Sequence, residues 1–192
     1  MNNRMKFNIL ALLLIVSGAL FAQQNQLDAY KQAFKGRRFV VISKQSMELY
    51  LYEKDGSLLK TYPMACGKAF GDKRKVGDMR TPEGVFKVQQ IQDASTWTHD
   101  FKDGKGVIKG CYGSHFIRLK TPGHSGIGIH GTHDPNSIGT RATEGCIRLN
   151  NKDLLDFVKY VVVGMPVVIL TSDKDIAENA KYETRVTKDV TF

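Results

Sequence analysis

Short apolar runs separated by turn residues recur along most of the chain and predict a largely β structure. Runs of about four to eight β-branched and aromatic residues that end at Gly, Pro, Asn or Asp are typical of strands. The predicted strands are Arg38–Lys44, Met47–Glu53, Leu58–Met64, Val85–Gln90, Phe116–Leu119, Gly126–His130, Ile147–Leu149 and Val167–Thr171. Asp55-Gly56 predicts a hairpin turn between the second and third of these strands.

Helical patterns are confined to two segments. Apolar residues at helical spacing within Gln23–Lys35 predict a short helix. A second helix is predicted to begin at Asn150 or Asn151, because Asn is a good N-cap, and to end before Pro166. The predicted buried face of this second helix consists of Leu154, Leu155, Val158, Val161 and Val162.

These patterns predict a mostly β domain, either a sandwich or a barrel-like sheet, with one main helix that follows Cys146. A length of 192 residues suits one well-cored domain, which we assign to residues 39–171. Residues 23–38 are then an N-terminal extension. Residues 172–192 are polar and of mixed charge, so we predict a C-terminal tail.

The N-terminus has the pattern of a secretory signal peptide. Arg4 and Lys6 precede the apolar run Phe7–Val16, and small residues lead to a cleavage site after Ala19 or Ala22. The alternative is a membrane anchor, but the apolar run is shorter than the roughly 18–20 residues that a span needs. We therefore assign residues 1–22 to a signal peptide and expect an exported protein of the periplasm or cell envelope, without a membrane span after cleavage.

The formal net charge of +9 indicates an acidic partner or simply a solvated basic surface. In an exported protein the acidic partners at hand are cell-wall polymers and lipid headgroups. Nucleic acid is disfavoured, because the basic residues do not form a stripe interleaved with aromatics. The basic segment Lys73-Arg74-Lys75 lies in a charged, glycine-containing loop, Phe70–Arg80. It either contacts an acidic ligand or is solvated, and the solvated interpretation is favoured.

The candidate chemistry lies between Ile127 and Leu149. His130 ends a predicted strand, and Cys146 lies in a glycine-containing turn. A cysteine becomes a strong nucleophile when a nearby base or positive field favours its thiolate, and His130 is the available base. Three cysteines leave at least one thiol unpaired, and we assign that thiol to Cys146. Cys66 and Cys111 are either buried free thiols or a disulfide pair.

The remaining histidines predict no further site. His133 follows His130 at a three-residue spacing, but metal-site spacing is usually more regular and no acidic second shell is evident, so neither a metal nor a cofactor is expected. His133 is interpreted as a loop or cleft residue. His99, His115 and His124 belong to no recognisable constellation and are interpreted as surface or packing residues.

Several motifs occur in the order found in one known family. They are Leu49-Tyr50-Leu51-Tyr52 with Asp55-Gly56, Tyr62–Lys68, Thr81–Phe86, Tyr112-Gly113, the I-H-G-T segment at 129–132, the T-E-G-C-I-R-L segment at 143–149, and G-M-P-V-V-I at 164–169. Together they resemble the L,D-transpeptidase catalytic domain, the YkuD-type fold. The resemblance covers about residues 39–170.

This resemblance implies a reaction on peptidoglycan stem peptides. Cys146 would attack the carbonyl of the third residue of a tetrapeptide stem, release D-alanine and form a thioester. An amine of a neighbouring stem, or of a protein to be attached to the wall, would then resolve the thioester. The resemblance also implies that no cofactor is needed and that carbapenems acylate Cys146. Water as acceptor would make the protein an L,D-carboxypeptidase or another peptidoglycan hydrolase, and a non-catalytic wall-binding module is the third alternative.

The resemblance assigns roles to further residues. A backbone carbonyl, at Gly131, orients His130, and the amides of Gly145 and Cys146 form an oxyanion hole. Arg148 either holds a substrate carboxylate or braces the loop through an internal salt bridge. The other substrate-binding candidates are Thr143, which replaces the usual Ser, and Tyr112, which either lines the cleft or packs in the core.

Glu144 is a departure from the family pattern, since many members have His at this position. Glu144 cannot share the role of the base, which leaves His130 alone in it. A carboxylate facing Cys146 would raise the pKa of the thiol by charge repulsion, so we expect Glu144 to point elsewhere.

Overall fold

The computed structural model describes residues 25–189 apart from residues 103 and 105. The predicted signal peptide, residues 1–22, lies outside the described residues. Within these described residues, eleven strands and three α-helices form the fold. In chain order they are α1 (25–33), β1 (Phe39–Ser43), β2 (Glu48–Tyr52), β3 (Leu58–Gly67), β4 (Gly84–Asp93), β5 (Thr98–Asp100), β6 (Val107–Lys109), β7 (His115–Lys120), β8 (Gly128–His130), β9 (Arg141–Thr143), β10 (Ile147–Leu149), α2 (Asn151–Phe157), β11 (Pro166–Leu170) and α3 (Asp173–Asp189).

Nine strands form one sheet that closes on itself. Their order is β10-β8-β7-β4-β11-β1-β2-β3-β9, and β10 also pairs with β3 through Arg148 opposite Ala65. Strands β5 and β6 form a separate two-stranded hairpin. The mostly β, barrel-like fold predicted from the sequence is confirmed.

The parallel pairing of β8 with β10 brings the two candidate catalytic residues to one place. Ile147 lies opposite Ile129, and Arg148 lies opposite His130. Cys146 therefore enters β10 beside the start of β8, although sixteen positions separate it from His130 in the sequence. The strand register, rather than the intervening loop, sets their proximity.

The apolar faces of the strands fill the closed sheet. Residues of β1, β2, β3, β8, β10 and β11 supply most of the core, and Leu154 and Phe157 of α2 cover one side of it. A second apolar cluster lies outside the barrel, where Leu27, Tyr30 and Phe34 pack against Phe39. The predicted N-terminal helix is therefore present as α1.

The predicted buried face of α2 is partly wrong. Leu155 and Val162 are exposed, whereas Leu154, Phe157 and Val161 are buried. The helix ends at Phe157, short of the predicted end before Pro166, and irregular turns lead from there to β11. The apolar residues beyond Phe157 thus follow a turn instead of one helical face.

Residues Asp173–Asp189 of the predicted C-terminal tail form helix α3. Composition was misleading here, since α3 attaches through polar contacts. Its Asp175 is completely buried and forms ion pairs with Lys44 and Arg141. The expectation of one main helix after Cys146 therefore becomes a short α2 followed by the longer α3.

Within the part of the chain that the structure describes, no helix is both long enough and apolar enough to cross a bilayer.

Candidate active site

A cavity of about 370 Å³ contains both Cys146 and His130. Seven further polar side chains line it: Lys73, His99, Tyr112, Ser125, Thr143, Glu144 and Arg148. The turn that ends at Cys146, strand β8, the β5–β6 hairpin and the loop between β3 and β4 form its walls. The cavity is thus built where several elements separated in sequence converge.

The thiol of Cys146 is partly exposed to this cavity. Its Sγ atom lies 3.3 Å from the carbonyl oxygen of Gly126, to which the S–H group donates. Burial raises the pKa of the Cys146 thiol to about 11, against opposing contributions from a Gly128 backbone contact and the charge of Lys73. The thiol is therefore protonated at neutral pH in the free protein.

His130 is buried at the end of β8, and its ring orientation is fixed. Nδ1 lies 2.7 Å from the carbonyl oxygen of Gly131, which is the backbone contact expected from the sequence. The rings of Tyr112 and Phe116 pack edge-on and face-on against it, with centroids 4.8 Å and 5.6 Å away. Because a carbonyl only accepts hydrogen bonds, Nδ1 carries the proton and the Nε2 lone pair is left as a base.

The electrostatic environment keeps His130 neutral. Burial lowers its pKa to about 3, although the bond to Gly131 opposes this shift. No hydrogen bond joins Cys146 to His130 among the described residues. The free protein therefore holds a neutral thiol and a neutral imidazole in one cavity, rather than a preformed ion pair.

Gly131 is held by close contacts that exclude a side chain. Its amide donates to the carbonyl of Tyr112 at 2.7 Å, and a Cβ atom here would lie 2.2 Å from Oδ1 of Asn151. The Asn151 side-chain amide also binds Thr132, the residue after Gly131: its oxygen accepts from Thr132 N and its nitrogen donates to Thr132 O. Asn151 thus starts α2 as predicted, but its side chain braces the segment after His130.

The turn before Cys146 is organised by Thr143. This buried hydroxyl donates to the carbonyl of Cys146 at 2.6 Å and accepts from the amide of Gly145 at 3.1 Å. The Gly145 amide is therefore engaged within the turn, which differs from the oxyanion role expected of it. Glycine is required at 145 because φ is +135° and a Cβ would lie 2.6 Å from the carbonyl oxygen of Arg80. The Arg80 backbone makes this close approach.

Arg148 is 4% exposed and lines the inner part of the cavity. Its Nη1 donates to the hydroxyl of Ser137 at 2.8 Å, and its Nε is buried without a partner. No carboxylate of the described residues lies within ion-pair distance of this guanidinium, so the internal salt bridge considered for Arg148 is not formed. A buried guanidinium with an unused donor is suited to receive an anionic group.

Glu144 and His99 form a contact that the sequence did not predict. Glu144 Oε2 lies 3.0 Å from His99 Nε2, so the carboxylate turns toward the β5–β6 hairpin. Its charge still raises the pKa of Cys146, after the larger effect of burial. His99, interpreted from the sequence as a surface or packing residue, therefore lies in the candidate site. The sequence contained no indication of this position, because nothing in it shows that Glu144 is the partner of His99.

The aromatic and histidine predictions have mixed outcomes. Tyr112 lines the cavity and packs on His130, so both interpretations of it apply; burial raises its pKa to about 12. His133 is exposed and packs against Phe101 with ring centroids 5.1 Å apart and a tilt of 31°. Among the described residues, no group of three His, Cys, Asp or Glu side chains is arranged to hold a metal ion.

Cys66 and Cys111 are both buried free thiols.

Lys73 is the second residue missing from the sequence-based site. It was interpreted as part of a solvated basic segment, but it is 7% exposed and lines the cavity. Its Nζ donates to Asp78 at 2.8 Å. A run of three basic residues in a glycine-containing loop gives no indication of which one turns inward.

Comparison with known proteins decides the family. The model of the YkuD L,D-transpeptidase catalytic domain matches residues 37–169. The chain belongs to this family. It is 32% identical over 130 residues to the protein assigned as L,D-transpeptidase YkuD in Bacillus licheniformis, and the match covers 68% of this chain and 64% of that one. It is 28% identical to the protein assigned as L,D-transpeptidase ErfK/SrfK in Escherichia coli, covering 70% of this chain and 44% of that protein. The chain thus spans less than two thirds of these relatives.

Solved structures agree with the family fold. The catalytic domain of the Enterococcus faecium L,D-transpeptidase has a TM-score of 0.52 at 19% identity, covering 70% of this chain and 98% of that one. An L,D-transpeptidase described in complex with imipenem has a TM-score of 0.52 at 21% identity and covers 69% of this chain and 58% of that one. At these identities the likeness concerns the fold alone.

Proposed function

We propose that this protein is an exported L,D-transpeptidase that acts on peptidoglycan stem peptides through Cys146. The observation that carries the proposal is the fixed orientation of His130. Its Nδ1 is tied to Gly131, so its free Nε2 is a base in the cavity that also holds the thiol. Membership of the L,D-transpeptidase family supports the reaction class.

The first half-reaction would form a thioester. On substrate binding, the Cys146 S–H turns from Gly126 to His130, whose Nε2 takes the proton as sulfur attacks the carbonyl of the third stem residue. Collapse of the tetrahedral intermediate breaks the bond to the terminal D-alanine. The His130 imidazolium returns its proton to the leaving amine, so the step ends with a neutral histidine, a thioester and free D-alanine.

The second half-reaction would reverse these roles. An acceptor amine attacks the thioester carbonyl while His130 removes its proton, and the thiolate leaves and regains that proton. The product is a 3→3 cross-link when the amine belongs to a neighbouring stem. It is a wall-attached protein when the amine belongs to a protein side chain.

Backbone groups near Cys146 would stabilise the oxyanion. The Gly145 amide already donates to Thr143, so we propose that the Cys146 amide is the main donor and that Gly145 contributes only if its present bond is exchanged. The hydroxyl of Thr143 holds the Cys146 carbonyl, which orients this peptide unit.

Arg148 would bind a carboxylate of the stem peptide. Its Nε is buried without a hydrogen-bond partner and Nη1 donates to the neutral Ser137 hydroxyl, so no carboxylate of the described residues forms an ion pair with it in the cavity. A substrate carboxylate would supply that compensation with bidentate geometry. We place Tyr112 on the wall of the same cleft.

Two other functions use the same cavity. Water in place of the amine would make the protein an L,D-carboxypeptidase with the same nucleophile. A wall-binding module without catalysis would need neither the free Nε2 of His130 nor a thiol that opens onto the cavity, so these two features argue against it.

The deciding experiment is mass spectrometry of purified tetrapeptide stems incubated with the wild-type protein and with Cys146→Ala. Loss of D-alanine together with a dimeric muropeptide, absent in the variant, is the expected result. Tripeptide alone would assign a carboxypeptidase. No change that depends on Cys146 with any stem, cross-linked dimer or protein-linked substrate would overturn the catalytic function.

A further inference from the structure

Helix α3 lies beyond the residues that match the family model, which end at 169. It packs against the loop between β3 and β4, here called the cleft loop and defined as residues 68–83. The cleft loop forms one wall of the cavity through Lys73, Gly77 and Met79. An element outside the matched domain therefore supports a wall of the candidate site.

The contacts between α3 and the cleft loop are specific hydrogen bonds to its backbone. Asp175 Oδ1 accepts from the amide of Gly71 at 2.6 Å, and Asn179 Oδ1 accepts from the amide of Asp72 at 2.8 Å. The same Asn179 oxygen accepts from the Arg74 guanidinium at 3.2 Å. These bonds hold the two residues before Lys73 and the residue after it.

The first turn of α3 is itself fixed to the barrel. Lys44 of the β1–β2 turn is completely buried and lies 3.1 Å from Asp175, which also pairs with Arg141 of β9 at 2.8 Å. Burial would raise the pKa of Asp175, but the bonds from Ser172 and Gly71 and the charge of Lys44 hold it below its usual value. The helix is thus anchored at one end by a buried ionic cluster.

The cleft loop also contacts the turn that carries Cys146. The amide of Lys68 donates to the carbonyl of Thr143 at 2.9 Å, and Gly145 packs against the backbone of Arg80. Asp78 closes the loop by accepting from the amides of Arg74, Lys75 and Arg80 as well as from Lys73. Movement of the loop would therefore move Lys73 relative to the thiol.

Lys73 lines the same cavity as the Cys146 thiol, and its buried ammonium group is paired with the Asp78 carboxylate at 2.8 Å. Of the charged side chains that act on the Cys146 thiol, Lys73 has the largest effect, and it favours the thiolate. The other titratable and charged groups that face the thiol from the surrounding elements are His99, Tyr112, Arg118, His130, Glu144 and Arg148. Among them Glu144 acts in the opposite direction.

We propose that Lys73 stabilises the developing thiolate of Cys146 and that α3 is the element that positions Lys73. This proposal rests on the nucleophilic role of Cys146 proposed above. Asp72 and Arg74, held by Asn179, fix the loop on both sides of Lys73, and Asp175 fixes the helix to the barrel. Residues 173–189 are then part of the working enzyme.

The test is the rate at which iodoacetamide alkylates Cys146 as a function of pH, followed by intact mass. Lys73→Met is compared with the charge-preserving Lys73→Arg and with Lys75→Met, which removes an exposed lysine of the same loop. Cys146→Ala gives the background from the two buried thiols. Asp78 keeps three backbone donors in Lys73→Met, so the loop retains its closure, and a thermal melt checks the fold.

We expect Lys73→Met to alkylate about three- to ten-fold more slowly near pH 8, which corresponds to an upward shift of about half to one pKa unit. Lys73→Arg and Lys75→Met should stay within about twofold of the wild-type rate. Equal rates for Lys73→Met and the wild type would overturn the role of Lys73. Equal slowing in Lys73→Arg and Lys73→Met would also overturn it, because the charge would not matter.

The role of α3 is tested by Asn179→Ala, with Lys181→Ala as the matched control on an exposed position of the same helix. We expect Asn179→Ala to slow alkylation in the same direction as Lys73→Met, and Lys181→Ala to leave it unchanged. Slowing in Lys73→Met with no effect in Asn179→Ala would overturn the positioning role of the helix. Alkylation requires no stem peptide, so failure of the transpeptidase proposal would leave these outcomes readable.

Discussion

His99 Nε2 and Glu144 Oε2 lie 3.0 Å apart, and this contact ties the β5–β6 hairpin to the turn that carries Cys146. Both side chains are about one third exposed, so solvent screens the attraction between them. The main consequence of the contact is therefore geometric. It fixes the hairpin over the cavity and turns the Glu144 carboxylate toward the hairpin.

Glu144→Gln should increase the reactivity of the thiol. The substitution keeps a hydrogen-bonding group opposite His99 but removes a negative charge that disfavours the Cys146 thiolate. We expect alkylation near pH 8 to become about two- to three-fold faster. The measurement is the alkylation rate of Cys146 against pH, and a slower rate in Glu144→Gln would contradict this account of the charge.

Thr143→Val should damage the nucleophile turn, because Val has the shape of Thr but no hydroxyl. The Cys146 carbonyl and the Gly145 amide would lose their shared partner in a buried position. We expect a loss of about 1–3 kcal/mol in the free energy of unfolding. Urea denaturation measures this change. Thr143→Ser retains the hydroxyl and should lie close to the wild type, whereas equal losses in both variants would point to the methyl group instead.

Protonation of His130 should contribute to acid destabilisation. Its folded pKa of about 3 lies below its ordinary value of 6.5, so the unfolded chain binds this proton more readily. The stabilising contribution is therefore complete above about pH 6.5 and is lost progressively as the pH falls toward 3, with a slope of about 1.4 kcal/mol per pH unit. Urea denaturation between pH 4 and 7 should show that the free energy of unfolding falls less steeply with decreasing pH in His130→Gln than in the wild type. Equal slopes in the two proteins would contradict a buried neutral His130.

Imipenem should acylate Cys146. Attack of the thiol on the β-lactam carbonyl opens the ring and keeps all its atoms, so the intact mass should rise by the full mass of the drug. Cys146→Ala should form no adduct, and His130→Ala should react roughly 10²–10⁴-fold more slowly because it lacks the general base. An adduct of equal yield in Cys146→Ala would place the acylation elsewhere.

The strands and the Cys146–His130 pair were within reach of the sequence. Apolar runs bounded by turn residues marked most strands, and His130 and Cys146 lie at the ends of two such runs. The short strands β5, β6 and β9 were not predicted, since none of them contains an apolar run of four residues. Strand prediction succeeded where burial of apolar side chains determines the structure.

The polar part of the site depended on tertiary contacts that carry no local signal. Lys73 and His99 lie in segments without periodicity, and each enters the cavity because a partner, Asp78 or Glu144, receives it. Helix α3 has a polar sequence, so its attachment through Asp175 could not be inferred from hydrophobic spacing. Ionic contacts that form only in the folded chain are the common cause of these differences, because hydrophobic spacing does not encode them.

In the exported protein that we propose, folding competes with oxidation of the two thiols that become buried. Cys66 and Cys111 are each buried as free thiols in the native core. Outside the cytosol, an unfolded chain with three thiols is open to oxidation. The native molecule is therefore reached when closure of the barrel precedes oxidation, and sequestration of its sulfur atoms depends on folding speed as well as on the final structure.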